Sequence, residues 1–191
     1  MNWGVLALQG AFREHREALD ALGVSSVEVR TPEQLAGVDA LILPGGESTT
    51  VGRLLTTSGL LEPLRARLSD GMPTFGTCAG LILLARDVLD GRPDQPSLAA
   101  IDVTVRRNAY GTQAASFEAD LEVAGISDAP FRAVFIRAPI VESVGPDVEV
   151  LARHADRPVL VRRGTIWAST FHPELSGDLR VHERFLHEVM R

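Results

Sequence analysis

The chain has 191 residues, 45% hydrophobic and 23% charged, with a net charge of −6; this describes an ordinary globular protein and argues against a nucleic-acid binder, which would carry a basic face. All 19 positive residues are arginines, so a lysine Schiff base and a phosphate-loop lysine are both excluded. The single cysteine, Cys78, rules out an internal disulfide and any multi-thiolate metal site.

Taken in chain order, apolar runs alternate with helical spacing. Met1 to Leu6 lacks the basic start of a signal peptide, and Trp3–Leu8 reads as a strand buried on both faces. Phe12–Leu22 is expected as a helix closed by Gly23, with Phe12, Leu19 and Leu22 near one face. Val27–Arg30 and Ala40–Leu43 follow as strands, the second stopped by Pro44-Gly45-Gly46. Thr49–Leu55 and Leu60–Leu68 have helical spacing, Pro73–Gly76 leads into Cys78, and Leu81–Val88 is expected as a further helix. Asp87–Ser97, with its Gly and two Pro, reads as an exposed loop.

The second half is richer in strands: Ala100–Arg106, Ala115–Val123, Ala133–Ile136, Val148–Arg153, Pro158–Arg163 and Ile166–Thr170. A last helix spans about Asp178–Met190, with Leu179, Phe185, Leu186 and Val189 inward. No repeat or linker interrupts residues 1–191, so one domain is expected, with a mostly parallel sheet, an antiparallel extension and helices on both faces. No apolar run approaches the roughly 20 residues of a membrane span, and cytosolic residence is the expectation.

The sharpest local feature is Gly76-Thr77-Cys78-Ala79-Gly80, between a strand and a helix. It has the G-x-nucleophile-x-G form of a nucleophile elbow, whose glycines allow a tight turn that exposes the central side chain. The N–H of Ala79 would point toward an oxyanion forming beside the sulfur. A helix N-terminus there would favour thiolate over thiol. The plainer reading makes Cys78 a small buried hydrophobe. A cysteine nucleophile needs a base and the base needs an orienting group. Thr170-Phe171-His172-Pro173-Glu174 offers both after an apolar strand. With one residue between them, His172 and Glu174 are expected on the same side of an extended segment stiffened by Pro173; the alternative is a surface turn.

His15, His182 and His187 fall in expected helices beside charged residues, and are expected to be solvated; His154 sits in a polar turn. No pair has metal-ligand spacing, so no metal site is expected. Pro44-Gly45-Gly46-Glu47-Ser48 follows a strand and opens a helix, where two glycines let backbone N–H groups meet a carbonyl or carboxylate. The simpler account is a helix cap at Ser48 or Thr49.

In this order the pieces resemble the class I glutamine amidotransferases, which carry a Cys-His-Glu triad on a flavodoxin-like three-layer α/β sandwich. They resemble most closely the family of glutaminase subunits that serve two-chain pyridoxal 5′-phosphate synthases. The likeness rests on Gly4–Gly10 with Arg13-Glu14-His15, on Leu41–Thr50, on Phe75–Leu81, and on Arg107–Gly111 with Tyr110. It continues through Ser116-Phe117-Glu118, Phe135–Pro139 and Phe171–Leu175. The resemblance implies hydrolysis of L-glutamine to glutamate and ammonia, with Cys78 as nucleophile, His172 as proton shuttle and Glu174 as its orienter. It implies glutamine contacts from Gly46, Glu47, Ser48, Arg107, Ile136 and Arg137, an oxyanion site at Gly46 and Ala79, and no cofactor. Either arginine suits a carboxylate through a bidentate pair, and the alternatives are a surface charge for Arg107 and a strand-end charge for Arg137. The resemblance also implies a partner: a barrel synthase subunit in a large hetero-oligomer that receives the ammonia, with Gln9-Gly10-Ala11 near the docking surface. Competing readings are the glutaminase of another amidotransferase, such as imidazole glycerol phosphate synthase, a DJ-1/PfpI-like cysteine hydrolase, or a non-catalytic subunit on the same fold.

Overall fold

The computed structural model describes residues 1–92, 94–107 and 116–190. Asn108 to Ala115, including Tyr110, therefore lie outside the described residues. The first half runs β1 (Trp3–Leu6), α1 (Phe12–Ala21), β2 (Ser26–Val29), α2 (Pro32–Ala36), β3 (Ala40–Leu43), α3 (Ser48–Thr57), α4 (Leu61–Ser69), β4 (Thr74–Thr77) and α5 (Ala79–Leu84). The second half runs β5 (Ala85–Val88), β6 (Ile101–Arg106), β7 (Ser116–Leu121), β8 (Phe131–Ile136), β9 (Ile140–Val144), β10 (Glu149–His154), β11 (Arg157–Arg163), β12 (Ile166–Ser169), a 3₁₀ turn (Pro173–Leu175) and α6 (Arg180–Val189).

Seven strands form the central sheet in the order β10-β11-β12-β4-β3-β1-β2. The five from β12 to β2 are parallel, and β11 and β10 add the antiparallel extension expected from the strand-rich second half. Successive side chains on a strand point to opposite faces, and the core divides accordingly. Leu41 and Leu43 join Val51, Leu55, Leu64 and Leu81 on one side. Ala40 and Ile42 join Leu19, Val181 and Phe185 on the other. Helices α3, α4 and α5 thus cover one face, α1 and α6 the other, and continuous apolar strands such as β3 are explained by burial on both sides. Two small sheets, β5-β6-β9 and β7-β8, prolong the two cores, one on each side. No helix among the described residues is long and apolar enough to cross a membrane.

Three local expectations need correction. The helix expected over Leu81–Val88 ends at Leu84: the N–H groups of Leu98 and Ala100 bond to the carbonyls of Leu83 and Leu84 at 2.8 Å, and Ala85–Val88 pairs with β6 instead. A continuous apolar run fits a buried helix and a buried strand equally, and here the available partner decided. Helix α2 was not anticipated, although Thr31-Pro32-Glu33-Gln34 carries its start signal: Thr31 and Gln34 form a reciprocal capping box with Pro32 in the first turn. Strand β9 was also missed, and it exists through antiparallel pairing with β6.

Candidate active site

Four neighbouring strands of the parallel sheet end at the same edge, and each hands over to a loop with chemical content. β1 leads to Gln9-Gly10, β3 to Gly45-Gly46, β4 to Cys78, and β12 to His172. This is the carboxyl edge, where open parallel sheets hold ligands.

Cys78 has φ 50° and ψ −99°, a conformation outside the ordinary regions for a residue with a Cβ. It is held there by its N–H, which donates to the Ser169 carbonyl at 2.8 Å. The flanking glycines make the turn possible. A methyl on Gly80 would collide with the Leu43 carbonyl oxygen, and one on Gly76 would sit 2.8 Å from the Gly80 carbonyl carbon. Helix α5, which Cys78 caps, has six residues, so its dipole is a small support for a thiolate. Cys78 is 7% exposed, and its sulfur lies 3.9 Å from the Ile136 carbonyl oxygen.

His172 is the residue expected to act as base. Its backbone N–H bonds to the Val134 carbonyl at 2.8 Å, and its Nδ1 meets Glu174 Oε1 at 2.7 Å. The segment is not extended as expected: Pro173–Leu175 forms a 3₁₀ turn with His172 at its cap. A tight turn brings a side chain at i+2 back toward i, and Pro173, with φ near −65°, suits the turn's first position. Burial pulls the His172 pKa down, but hydrogen bonds to Cys78 and Glu174 and the charge on both outweigh it and raise it to about 10. The protonated imidazole is therefore the favoured form at neutral pH, with the Glu174 carboxylate at its Nδ1.

Gly45 closes the space above these groups; a methyl there would approach His172 Nδ1 to 2.9 Å and Cys78 Cβ to 3.4 Å. The Gly45 carbonyl accepts from the Ala11 N–H at 3.0 Å, and the Glu47 N–H donates to Gln9 Oε1 at 2.8 Å. The cap of α3 is Glu47, not Ser48 or Thr49: its carboxylate accepts from the N–H groups of Thr49 at 3.1 Å and Thr50 at 2.7 Å. The same carboxylate takes Arg107 Nη2 at 3.2 Å, while Arg107 Nη1 donates to Gln95 Oε1 at 2.6 Å. Arg137 has φ 44° and is exposed; its guanidinium has no hydrogen-bond partner among the described residues. The loop containing Gln95 is thus less detached than its composition suggests.

A cleft of about 260 Å³ brings together Gly46, Glu47, Ser48, Cys78, Arg107, Ile136, Arg137 and His172, with Gln9 and Ile82 completing the wall. Ala79 sits behind Cys78 at the first position of α5, where a helix leaves its N–H without an intrahelical acceptor. Gly46 N–H has no hydrogen-bond partner among the described residues. No cluster suited to a metal ion occurs among the described residues.

The largest departure from expectation lies beneath the triad. His15 and His182 are 0% and 1% exposed, not solvated. His15 Nδ1 is 3.0 Å from His182 Nε2, and His15 Nε2 is 3.0 Å from Thr77 Oγ1 and 3.3 Å from Glu174 Oε2. The charged neighbours Arg13, Glu14 and Glu183 pointed outward, but the helical spacing held the signal. His15 shares a face with Ala18 and Leu19, and His182 with Phe185 and Leu186, all buried. His187, by contrast, is exposed as expected.

A parallel sheet with a strained cysteine elbow, a His–Glu pair and a glycine loop at its carboxyl edge has the architecture of a class I glutamine amidotransferase domain. The fold superposes on a solved structure described as PurLQS from Thermotoga maritima with a TM-score of 0.67 at 18% identity, over 98% of this chain and 98% of that one. The chain belongs to the SNO glutamine amidotransferase family, whose model matches residues 5–191. It is 60% identical over 183 residues to a pyridoxal 5′-phosphate synthase subunit PdxT from Frankia alni, covering 96% of this chain and 92% of the relative. A crystal structure described as a glutamine amidotransferase matches with a TM-score of 0.93 and 52% identity over the whole of both chains. Family membership sets aside the DJ-1/PfpI-like alternative.

Proposed function

We propose that this chain is a single glutaminase domain that hydrolyses L-glutamine to glutamate and ammonia, acting in the cytosol as the ammonia-producing half of a pyridoxal 5′-phosphate synthase. The observation that carries the reading is the chain of contacts Cys78–His172–Glu174 on the floor of a cleft rimmed by glycine amides and two arginines.

In this reading the Cys78 thiolate attacks the side-chain amide carbon of glutamine. Negative charge moves to the amide oxygen, where the N–H groups of Gly46 and Ala79 stabilise it. His172 gives its proton to the departing nitrogen, ammonia leaves, and a glutamyl thioester remains on the sulfur. Water, deprotonated by the now neutral His172, attacks the thioester and releases glutamate, returning the proton to the imidazole. Glu174 keeps the imidazole oriented throughout.

Glutamine selection follows from the rim. Arg107 and Arg137 face the α-carboxylate; Arg107 is shared with Glu47 and Gln95, and Arg137 has free capacity for a bidentate contact. Glu47 and Ser48 border the position of the α-ammonium, and the Ile136 backbone lies beside the reacting amide. The destination of the ammonia is supported by the names of the relatives, and it implies a synthase subunit, in a barrel fold and a large hetero-oligomer, docked near Gln9-Gly10-Ala11.

The test is glutamate release from glutamine by the chain alone and with a pyridoxal-forming synthase subunit. Wild type is expected to be stimulated by that subunit, and Cys78→Ala to be inactive in both conditions. Full activity in Cys78→Ala removes the nucleophile; activity without stimulation moves the ammonia to a different acceptor.

A further inference from the structure

We propose that His15 is a positioning residue for this reaction: its Nε2–H holds the second carboxylate oxygen of Glu174, and His182 fixes the tautomer in which it does so. The inference rests on the glutaminase reading and adds two residues behind the triad.

Glu174 has a side chain with no solvent exposure. Its Oε1 is taken by His172 Nδ1 at 2.7 Å, while Oε2 makes no hydrogen bond among the described residues and His15 Nε2 stands 3.3 Å from it. A buried carboxylate oxygen without a donor is costly, and a lone pair on His15 Nε2 would face that oxygen with like sign. Both arguments place the proton on His15 Nε2, which lies 3.0 Å from Thr77 Oγ1 and 3.3 Å from Glu174 Oε2. The Nδ1 of a neutral His15 must then accept, and the group 3.0 Å away is His182 Nε2, which must donate. His182 Nδ1 is left as a bare lone pair. It is buried without a partner, which favours this assignment: the opposite tautomers would bury an unpaired N–H there instead, and a buried N–H is seldom left unpaired.

Neutrality of both rings agrees with their surroundings. Burial lowers the pKa of His15 against the pull of Glu174, and burial followed by the neighbouring His15 lowers that of His182 to about 3. Burial opposes ionisation of Glu174, yet the hydrogen bond and charge of His172 help to hold its carboxyl below the ordinary value. Because His15 is neutral, it supports the carboxylate as a hydrogen-bond donor rather than as a full positive charge. The result is a directed line of donors, His182 to His15 to Glu174, that presents Oε1 to His172 from one fixed direction.

Two substitutions separate this role from packing. His15→Gln keeps an N–H donor near the Nε2 position, whereas His15→Asn keeps one only near Nδ1. In the complex with the synthase subunit, His15→Gln should stay within about threefold of wild type. His15→Asn should lose roughly tenfold in kcat with KM unchanged, the equivalent of one hydrogen bond. Melting temperatures should fall by similar amounts in both. A second readout, needing no glutamine, is the rate at which iodoacetamide alkylates Cys78, which should slow in the Asn variant and not in the Gln variant. Equal behaviour of the two variants in kcat and alkylation, whether both active or both impaired, overturns the proposal. Should either variant fail to fold, His182→Gln against His182→Phe poses the same question, with the donor kept in the first and removed in the second. Absence of glutamate release from wild type strikes the glutaminase reading, and the alkylation rates then judge the positioning role separately.

Discussion

The two ends of the parallel sheet differ in a way that cavity size alone would misjudge. At the amino ends of β1 and β2 an open cavity of about 610 Å³ is lined by Met1, Trp3, Val24, Val27 and Met190, among others, and by no ionisable side chain. At the carboxyl ends the cleft is about 260 Å³, less than half of that, yet it gathers Cys78, His172, Glu47 and two arginines. The smaller space is where strand ends, helix starts and glycine turns expose backbone groups together, so polar convergence and not volume marks the site. The contrast extends below the surface. The carboxyl end rests on buried, fully desolvated polar groups, His15, His182 and Glu174, which cost stability unless every hydrogen bond is made. At the amino end the side-chain hydrogen bonds, from the Asn2 N–H to Asp39 Oδ2 and from Asn2 Nδ2 to the Gly37 carbonyl, are exposed.

The comparison is tested hardest at the sulfur. Cys78→Ala should reduce glutamine hydrolysis by at least about 10³-fold with no loss of fold, since removal of a nucleophile leaves only residual catalysis from binding and the oxyanion site. Circular dichroism alongside the activity assay checks both halves. Next in size is Gly45→Ala. Its methyl would press on His172 and Cys78 and displace the loop that carries the Gly46 N–H, so a loss of roughly 10²-fold in kcat is expected, as for removal of one oxyanion donor. A mutant of unchanged kcat would show that the glycine loop is not packed on the triad during turnover.

A smaller and purely thermodynamic effect should come from His182. Its folded pKa, about 3, lies below the unfolded value of 6.5. Between these values the unfolded chain binds a proton that the native state does not, so stability is lost as pH falls below 6.5. The slope from this one group is roughly 1.4 kcal/mol per pH unit. Urea unfolding of wild type and His182→Gln between pH 4 and 6 should show the variant with a shallower slope by about that amount. Equal slopes would mean that His182 is already protonated in the native state and that the neutral donor line is absent.

What the sequence revealed follows the same division. The elbow at Gly76–Gly80, the glycine loop at Gly45–Gly46 and the His-Pro-Glu segment were legible because each has a local reason for its residue types. The parallel core was legible because β1, β3 and β12 are apolar at successive positions. Arg107 and Arg137 were placed at the site but not told apart, since their difference lies in Glu47 and Gln95, which reach Arg107 from distant loops. His15 and His182 were misread because local charge suggested solvent, while their burial depends on two helices meeting beneath β4. The fate of residues 85–88 depended likewise on β6, fifteen or more residues away. Local chemistry is written in short stretches, whereas burial of a polar group is a property of the assembled layers.

The smallest expected effect lies at the amino end and guards the comparison from the other side. Val27 is 53% exposed on the edge strand β2, where it pairs through its backbone with Gly4. Val27→Thr keeps the β-branch that suits a strand, removes little buried surface and makes the rim of the larger cavity more polar. Stability should change by no more than about 0.5 kcal/mol, and kcat and KM for glutamine should match wild type. A rise in KM without loss of stability would mean that glutamine reaches the larger cavity, and polar convergence would then fail as the criterion that separates the two ends of this sheet.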